Sequence, residues 1–337
     1  RDPHGAGARR DRAGVDDRDE QLQIPQVGRH ELAFGFRVHP FRFYQPASSA
    51  LLEALKASGA SSDPGEEEAN VLIEIAPLLR GAAVVGAGFL AGGLNVVVGA
   101  GTLASFPILV LLGFPPLTAT MANTVGIVPG SLSGVFVYRR ELRAHYRVTR
   151  LLLPSSSAGG VTGALLLLHL SADIFAAVIP WLIGIGTLLV LSGPAIKNRI
   201  GRVAATDDVD ATPFPRRGSK VASVVGAFLL GVYGGYFSAA QGILLVALLG
   251  ITTTLLMQEL NAVKNASVAA VNIIAATVFI FVSPELISWP IVALVALGSI
   301  LGGLVGGRFA RRLPAGLFRG FVVIVGITTV TAIVLSH

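Results

Sequence analysis

The chain has 337 residues, 53% of them apolar and 14% charged, with a mean hydropathy of +0.70. Soluble domains carry about 25% charge, so a soluble globule is excluded and an integral membrane protein is expected. Residues 1–69 hold 9 Lys+Arg and 12 Asp+Glu, leaving 17 and 8 for the rest; this net +9 reads as positive-inside membrane loops, and without interleaved aromatics it argues against nucleic acid.

In chain order, residues 1–69 are polar, mixed in charge and without sustained periodicity, and are expected to form a disordered N-terminal extension. They match neither a signal nor a transit peptide. The first Met is Met121, so this tail is expected to be a fragment or a translated extension ahead of a start near Val71. Apolar spans then follow closely at 75–98, 102–113, 117–138, 151–170, 172–196, 219–237, 239–250, 255–282, 286–307 and 316–336. A run of about 20 residues crosses the hydrocarbon core, so eight of these are full spans and two are half-length. The segment 197–218, with Asp207, Asp208, Asp210, Pro213 and Pro215, reads as a cytoplasmic linker between a first membrane repeat (70–196) and a second (219–337).

The halves are alike. Each has a Gly-punctuated helix, a small-residue break (Gly99 to Thr102; Ser238 to Gly242), a short apolar piece ending in Leu-Leu-Gly, and a helix with a polar opening (TATMANT, 118–124; QELNAVKN, 258–265). Arg139, Arg140, Arg143, Arg147 and Arg150 mark one cytoplasmic loop. Lys197, Arg199, Arg202, Arg216, Arg217 and Lys220 mark another, and Arg308, Arg311, Arg312 and Arg319 a third. The first and third do not stand at equivalent places in the two halves, which favours an inverted repeat. The expected fold is therefore an all-α polytopic membrane protein of about 8 transmembrane helices plus two short broken or re-entrant segments.

Twelve apolar residues reach roughly half of a 30 Å core and leave backbone ends at depth. Amides at a helix N-terminus attract anions, and a Gly-rich break before a short helix in each half points to a transporter's midplane site. Candidate substrate contacts are Gly99, Gly101, Thr102, Ser105 and Pro107 in the first break, and Ser238, Gln241 and Gly242 in the second. Asn123 and Thr124 join them from the first polar opening, with Asn261, Lys264 and Asn265 from the second. Asn272 shares the face of Asn261 and Asn265. Lys264 has two readings, a ligand for an anion or a headgroup anchor just before the apolar run that begins at Ala266. Glu259 is its charge partner or an interfacial acid. His169 and Asp173 read as a solvated turn.

Catalysis and metal binding have little support. GSLSG (130–134) does not place Ser as Gly-x-Ser-x-Gly requires, and no His or carboxylate cluster has ligand spacing. Without Cys, disulfides, thiolate catalysis and Cys-ligated metal centres are excluded. No enzyme activity, metal or cofactor is expected.

The segments AGGLNVVVGAGTLASFPILVLLGFPP (91–116), ANTVGIVPGSLSGVFVYRREL (122–142), GVYGGYFSAAQGILLVALLG (231–250), NAVKN (261–265) and GGLVGGRFARRLP (302–314) together resemble the sulfite exporter TauE/SafE family of membrane permeases. That resemblance implies a multi-pass protein of the inner or plasma membrane that moves small anions, typically sulfite or organosulfur compounds such as sulfonates. It implies a duplicated four-helix organisation, with glycine-rich breaks at Gly99, Gly101 and Pro107 and at Gly234, Gly235 and Gly242. This chain has Thr102 where a third Gly often stands. Placed in that frame, Lys264 becomes the expected charged contact for the anion. A non-transporting interaction or assembly subunit is the alternative, and a homo-oligomer is left open.

Overall fold

The computed structural model describes residues 64–204, 213–214 and 217–309, with positions 320, 323, 324, 327, 328 and 331. All of them belong to one unit, residues 44–337. Helix α1 (Pro64–Val97) ends in a cap dictated by Gly99, which has φ +79°. The Val98 and Gly99 amides both donate to Leu94 O, at 2.8 and 2.9 Å, closing the last turn. Helix α2 (Thr102–Leu111) has ten residues and is only about 15 Å long. Gly113 at φ +86° turns the chain, and the Pro115–Pro116 pair starts α3 (Pro116–Val137), where a missing amide is harmless.

The first basic loop is partly helical: α4 (Arg139–Ala144) precedes α5 (Tyr146–His169), which begins ahead of the expected apolar onset at 151. Arg is a good helix former, so the coil runs on where hydropathy falls. Helix α6 (Ala172–Ala204) continues past Lys197, where the linker was expected to begin. In the second half, α7 (Arg217–Tyr236) ends at a second break in which Ser238 and Ala240 have φ of 61° and 58°. Helix α8 (Gln241–Thr252) is the second short piece. Helix α9 (Met257–Val282) is followed by a 3-10 turn (Pro284–Leu286) and α10 (Trp289–Phe309).

Among the described residues, seven helices are long and apolar enough to cross a membrane, and Thr102–Leu111 and Gln241–Thr252 are the short apolar ones. The expected span at 316–336 lies outside the described residues apart from the isolated positions above, as do the N-terminal extension to residue 63 and the centre of the linker. The protein is all-helical among the described residues. Its polarity runs opposite to that of a soluble globule: Phe136, Trp181, Leu188, Leu229, Phe281 and Leu304 face outward, while Asn123, Gln241, Lys264 and Asn272 are buried. Between them lies an apolar core that includes Leu103, Phe106, Met121, Leu167, Phe175, Phe237, Phe279 and Val295.

Helix pairing crosses the two halves. Helix α1 packs on α10 and α7 packs on α5, so each half's first long helix lies against the other half. Both contacts use small residues at a spacing of four. A Cβ at Gly88 would stand 2.5 Å from Val295 O, and one at Gly298 or Gly302 would strike the α1 backbone at Val85 or Phe89; Gly159 and Gly163 meet Phe228 and Val232 in the same way. Only Gly permits such approach between helices in lipid. Helix α3 packs against α10 and α9, and α9 against α5.

Candidate functional site

The two breaks cross. The Gly242 amide donates to Gly99 O at 3.0 Å, and a Cβ on either glycine would lie 2.5 Å from the other's Cα. This contact brings the starts of α2 and α8 together with the end of α1. Neither short helix has a side-chain cap on its N-terminus, Gly101 preceding one and Ala240 the other. Two partial positive charges therefore face the crossing. Phe106 and Phe237 pack edge to face beside it, their ring centroids 5.1 Å apart, forming an apolar flank that Phe175 extends.

Lys264 comes to this point from the second turn of α9. It is fully buried within the protein. Its ammonium donates to Val96 O at 3.1 Å and Asn95 O at 3.5 Å, and its stem passes the Gly99 Cα, where a Cβ would be 3.2 Å from Lys264 Cδ. The lysine thus takes up two of the carbonyls that α1 leaves open at its C-terminal end, where the helix dipole favours a cation. Glu259 does not reach it. One carboxylate oxygen accepts from the Leu256 amide at 2.7 Å and the other stands 3.4 Å from His145 Nε2. Among the described residues, Lys264 is the one charged side chain that is buried.

Around the lysine lie three groups of polar side chains. In the first, Asn123 Oδ1 accepts from Ser105 Oγ at 2.6 Å and Asn123 Nδ2 donates to Thr102 Oγ1 at 3.3 Å, tying α3 to the first turn of α2. Thr124 and Pro107 are also buried here. In the second, Asn272 Nδ2 and Asn95 Nδ2 both donate to Ser131 Oγ, at 3.1 and 2.9 Å, and Ser238 Oγ donates to Asn272 Oδ1 at 3.2 Å. This chain joins α1, α3, α9 and the second break. In the third, polar atoms have no partner among the described residues: both amide atoms of Gln241, the Asn265 nitrogen and the Ser267 hydroxyl. Gln241 fills the space that Gly234 leaves open, since a Cβ there would overlap its amide.

The structure therefore gathers Gly99, Gly101, Thr102, Ser105, Asn123, Ser238, Gln241, Gly242, Lys264 and Asn265 at or beside the crossing. Asn261 stands apart, its amide donating back to Met257 O at 2.9 Å in the first turn of α9. Sequence reasoning passed over Asn95 and Ser131. Asn95 is a lone amide inside an apolar run, itself a signal of a buried polar role, whereas Ser131 was visible only as part of a rejected catalytic motif.

A buried lysine, two helix starts without side-chain caps and unpartnered polar atoms meet inside a bundle with seven helices fit to cross a membrane, with no buried carboxylate among the described residues; this is the architecture of a helical membrane protein of the transporter class. The model of the sulfite exporter TauE/SafE family matches residues 84–333, and the chain belongs to this family of membrane transporters. It is 29% identical to the probable membrane transporter protein ORF9 of Sinorhizobium sp over 243 residues, 72% of this chain and 87% of the relative. It is 25% identical to the probable membrane transporter protein YfcA of Escherichia coli (strain K12) over 266 residues, 77% and 91% of the two chains. A probable membrane transporter protein of Haemophilus influenzae is 25% identical over 237 residues, 70% and 88% of the two. No solved structure matches the chain significantly.

Proposed function

We propose that this transporter moves a small anion, sulfite or an organosulfur compound such as a sulfonate, by alternating access. The supporting observation is the crossing of Gly99 and Gly242, where Lys264 and the starts of α2 and α8 concentrate positive charge. In this reading Lys264 supplies charge. Two of its three donors rest on α1 carbonyls and the third serves the anion. Gln241 and Asn265 offer donors that nothing else occupies, and sulfite or sulfonate oxygens are acceptors that would satisfy them. Asn123, Ser105, Thr102 and Thr124 complete the polar wall, while Gly99, Gly101, Pro107, Ser238 and Gly242 shape the breaks. Asn261 lines the approach along α9.

Flux in proteoliposomes with a panel of sulfite, sulfate, sulfonates and carboxylates tests this reading. Saturable flux of at least one sulfur oxyanion is expected, and Lys264→Ala, reconstituted at an amount of folded protein equal to wild type, is expected to abolish it. If wild-type protein moved none of the sulfur oxyanions, the assignment of a sulfur-containing anion would be overturned.

A further inference from the structure

We propose that Lys264 is a tethered cation filling a monovalent-cation position at the broken end of α1, and that replacing it with a neutral side chain opens that position to a free inorganic cation. Helix α1 ends inside the protein and leaves its last carbonyls without intrahelical partners. Leu94 O is satisfied by the Val98 and Gly99 amides, whereas Asn95 O and Val96 O point at the Lys264 ammonium. Backbone carbonyls at the C-terminal end of an interrupted membrane helix are the ligands from which transporters build sites for sodium and other coupling cations. Here a positive charge of the chain's own is delivered to them from α9.

The cap geometry alone does not require a lysine. The end of α7 closes in the same way, with the Phe237 and Ser238 amides both donating to Tyr233 O at 3.0 and 3.3 Å and Ser238 left-handed. Among the described residues, no lysine bonds the carbonyls of that end. Nor is Lys264 neutralised by an acid, since Glu259 is engaged at the start of α9. What holds the ammonium in a buried place is the pair of carbonyls and the helix dipole behind them, the same features that would hold a bare cation. A chain that carries this charge covalently needs no cation from solution at this position.

The test is thermal unfolding of the full chain in a non-ionic detergent at constant ionic strength, exchanging choline chloride for sodium, potassium or methylammonium chloride. Wild-type Tm is expected to be indifferent to the exchange. Lys264→Ala is expected to melt lower and to recover saturably, by about 2 °C or more, in at least one small cation and not in choline. Lys264→Gln keeps donors for the two carbonyls without the charge and serves where the Ala variant does not fold; because a cation must displace its amide from the carbonyls, it is expected to show a smaller recovery, still confined to the small cations. The proposal is overturned if Gln restores wild-type Tm by itself, or if the folded variants respond to the cations no more than wild type does. The readout needs no transported anion, so its failure leaves the transport reading standing, and failure of flux leaves this one standing.

Discussion

At Gln241 both amide atoms are buried without partners in the space left by Gly234, and such a group opposes folding unless a ligand satisfies it. A buried unsatisfied polar group costs about 1–3 kcal/mol, while a swap of similar volume costs less than about 1.5 kcal/mol. Gln241→Met is therefore expected to raise Tm by about 2 °C or more while lowering flux by about tenfold, the value of one lost hydrogen bond. Melting and flux measured on the same preparation check both signs; a lowered Tm would mean that the amide is satisfied within the protein. Asn123 is the contrasting case. Its amide is already bonded to Ser105 and Thr102, so its main effect is to hold the first turn of α2 in place.

Among the elements, the two breaks use different residues for the same bend. Gly99 adopts φ +79° at no steric cost, but Ser238 and Ala240 hold left-handed conformations that burden any residue with a Cβ. Such a conformation costs roughly 1–2 kcal/mol, partly offset in a Gly variant by about 0.4–1 kcal/mol of extra unfolded-state freedom. Ala240→Gly is thus expected to raise Tm by about 1–3 °C. Ser238 gains part of this back through its bond to Asn272. The reverse change is severe: in Gly99→Ala the new Cβ would stand 2.5 Å from Gly242 Cα, backbone that cannot swing away as a side chain can. Loss of monodisperse protein on size-exclusion chromatography is the expected result, and an Ala variant that melts like wild type would mean that the breaks do not touch.

For the molecule as a whole, the halves of the sequence are not the packing units. Helix α1 belongs with α10 and α3, and α7 with α5 and α9. Under the proposed alternating access, rocking is expected between these exchanged groups. They meet at the α3–α9 seam, through the Asn272–Ser131 bond, the Gly99–Gly242 crossing and Lys264 on α1. A wedge inside one group should therefore damage folding itself. Gly302→Leu, driven into the α1 backbone at Phe89, is expected to abolish folded protein. Leu304→Ala on the exposed side of the same helix should change stability by no more than about 0.5 kcal/mol. Yields in matched membranes compare the two, and equal yields would sink the assignment of α1 to α10.

The sequence by itself determined the class, the order of the spans, the two short pieces and the breaks, because hydropathy over about 20 residues and clusters of small residues are local properties. It also brought Thr102, Ser105, Asn123, Gln241, Lys264 and Asn265 into view, since polar groups in apolar spans are costly enough to stand out. Helix boundaries at Tyr146 and Ala204 departed from the hydropathy edges because a helix continues into the polar zone wherever its residues favour the coil. Only the tertiary structure decided that Lys264 is buried and what it touches. Its partners are backbone carbonyls some 170 positions away, and a carbonyl carries no mark of its own in a sequence. Asn95 and Ser131 do show in the sequence as polar side chains in apolar spans, but their bonds to each other and to Asn272 follow from the packing of α1, α3 and α9.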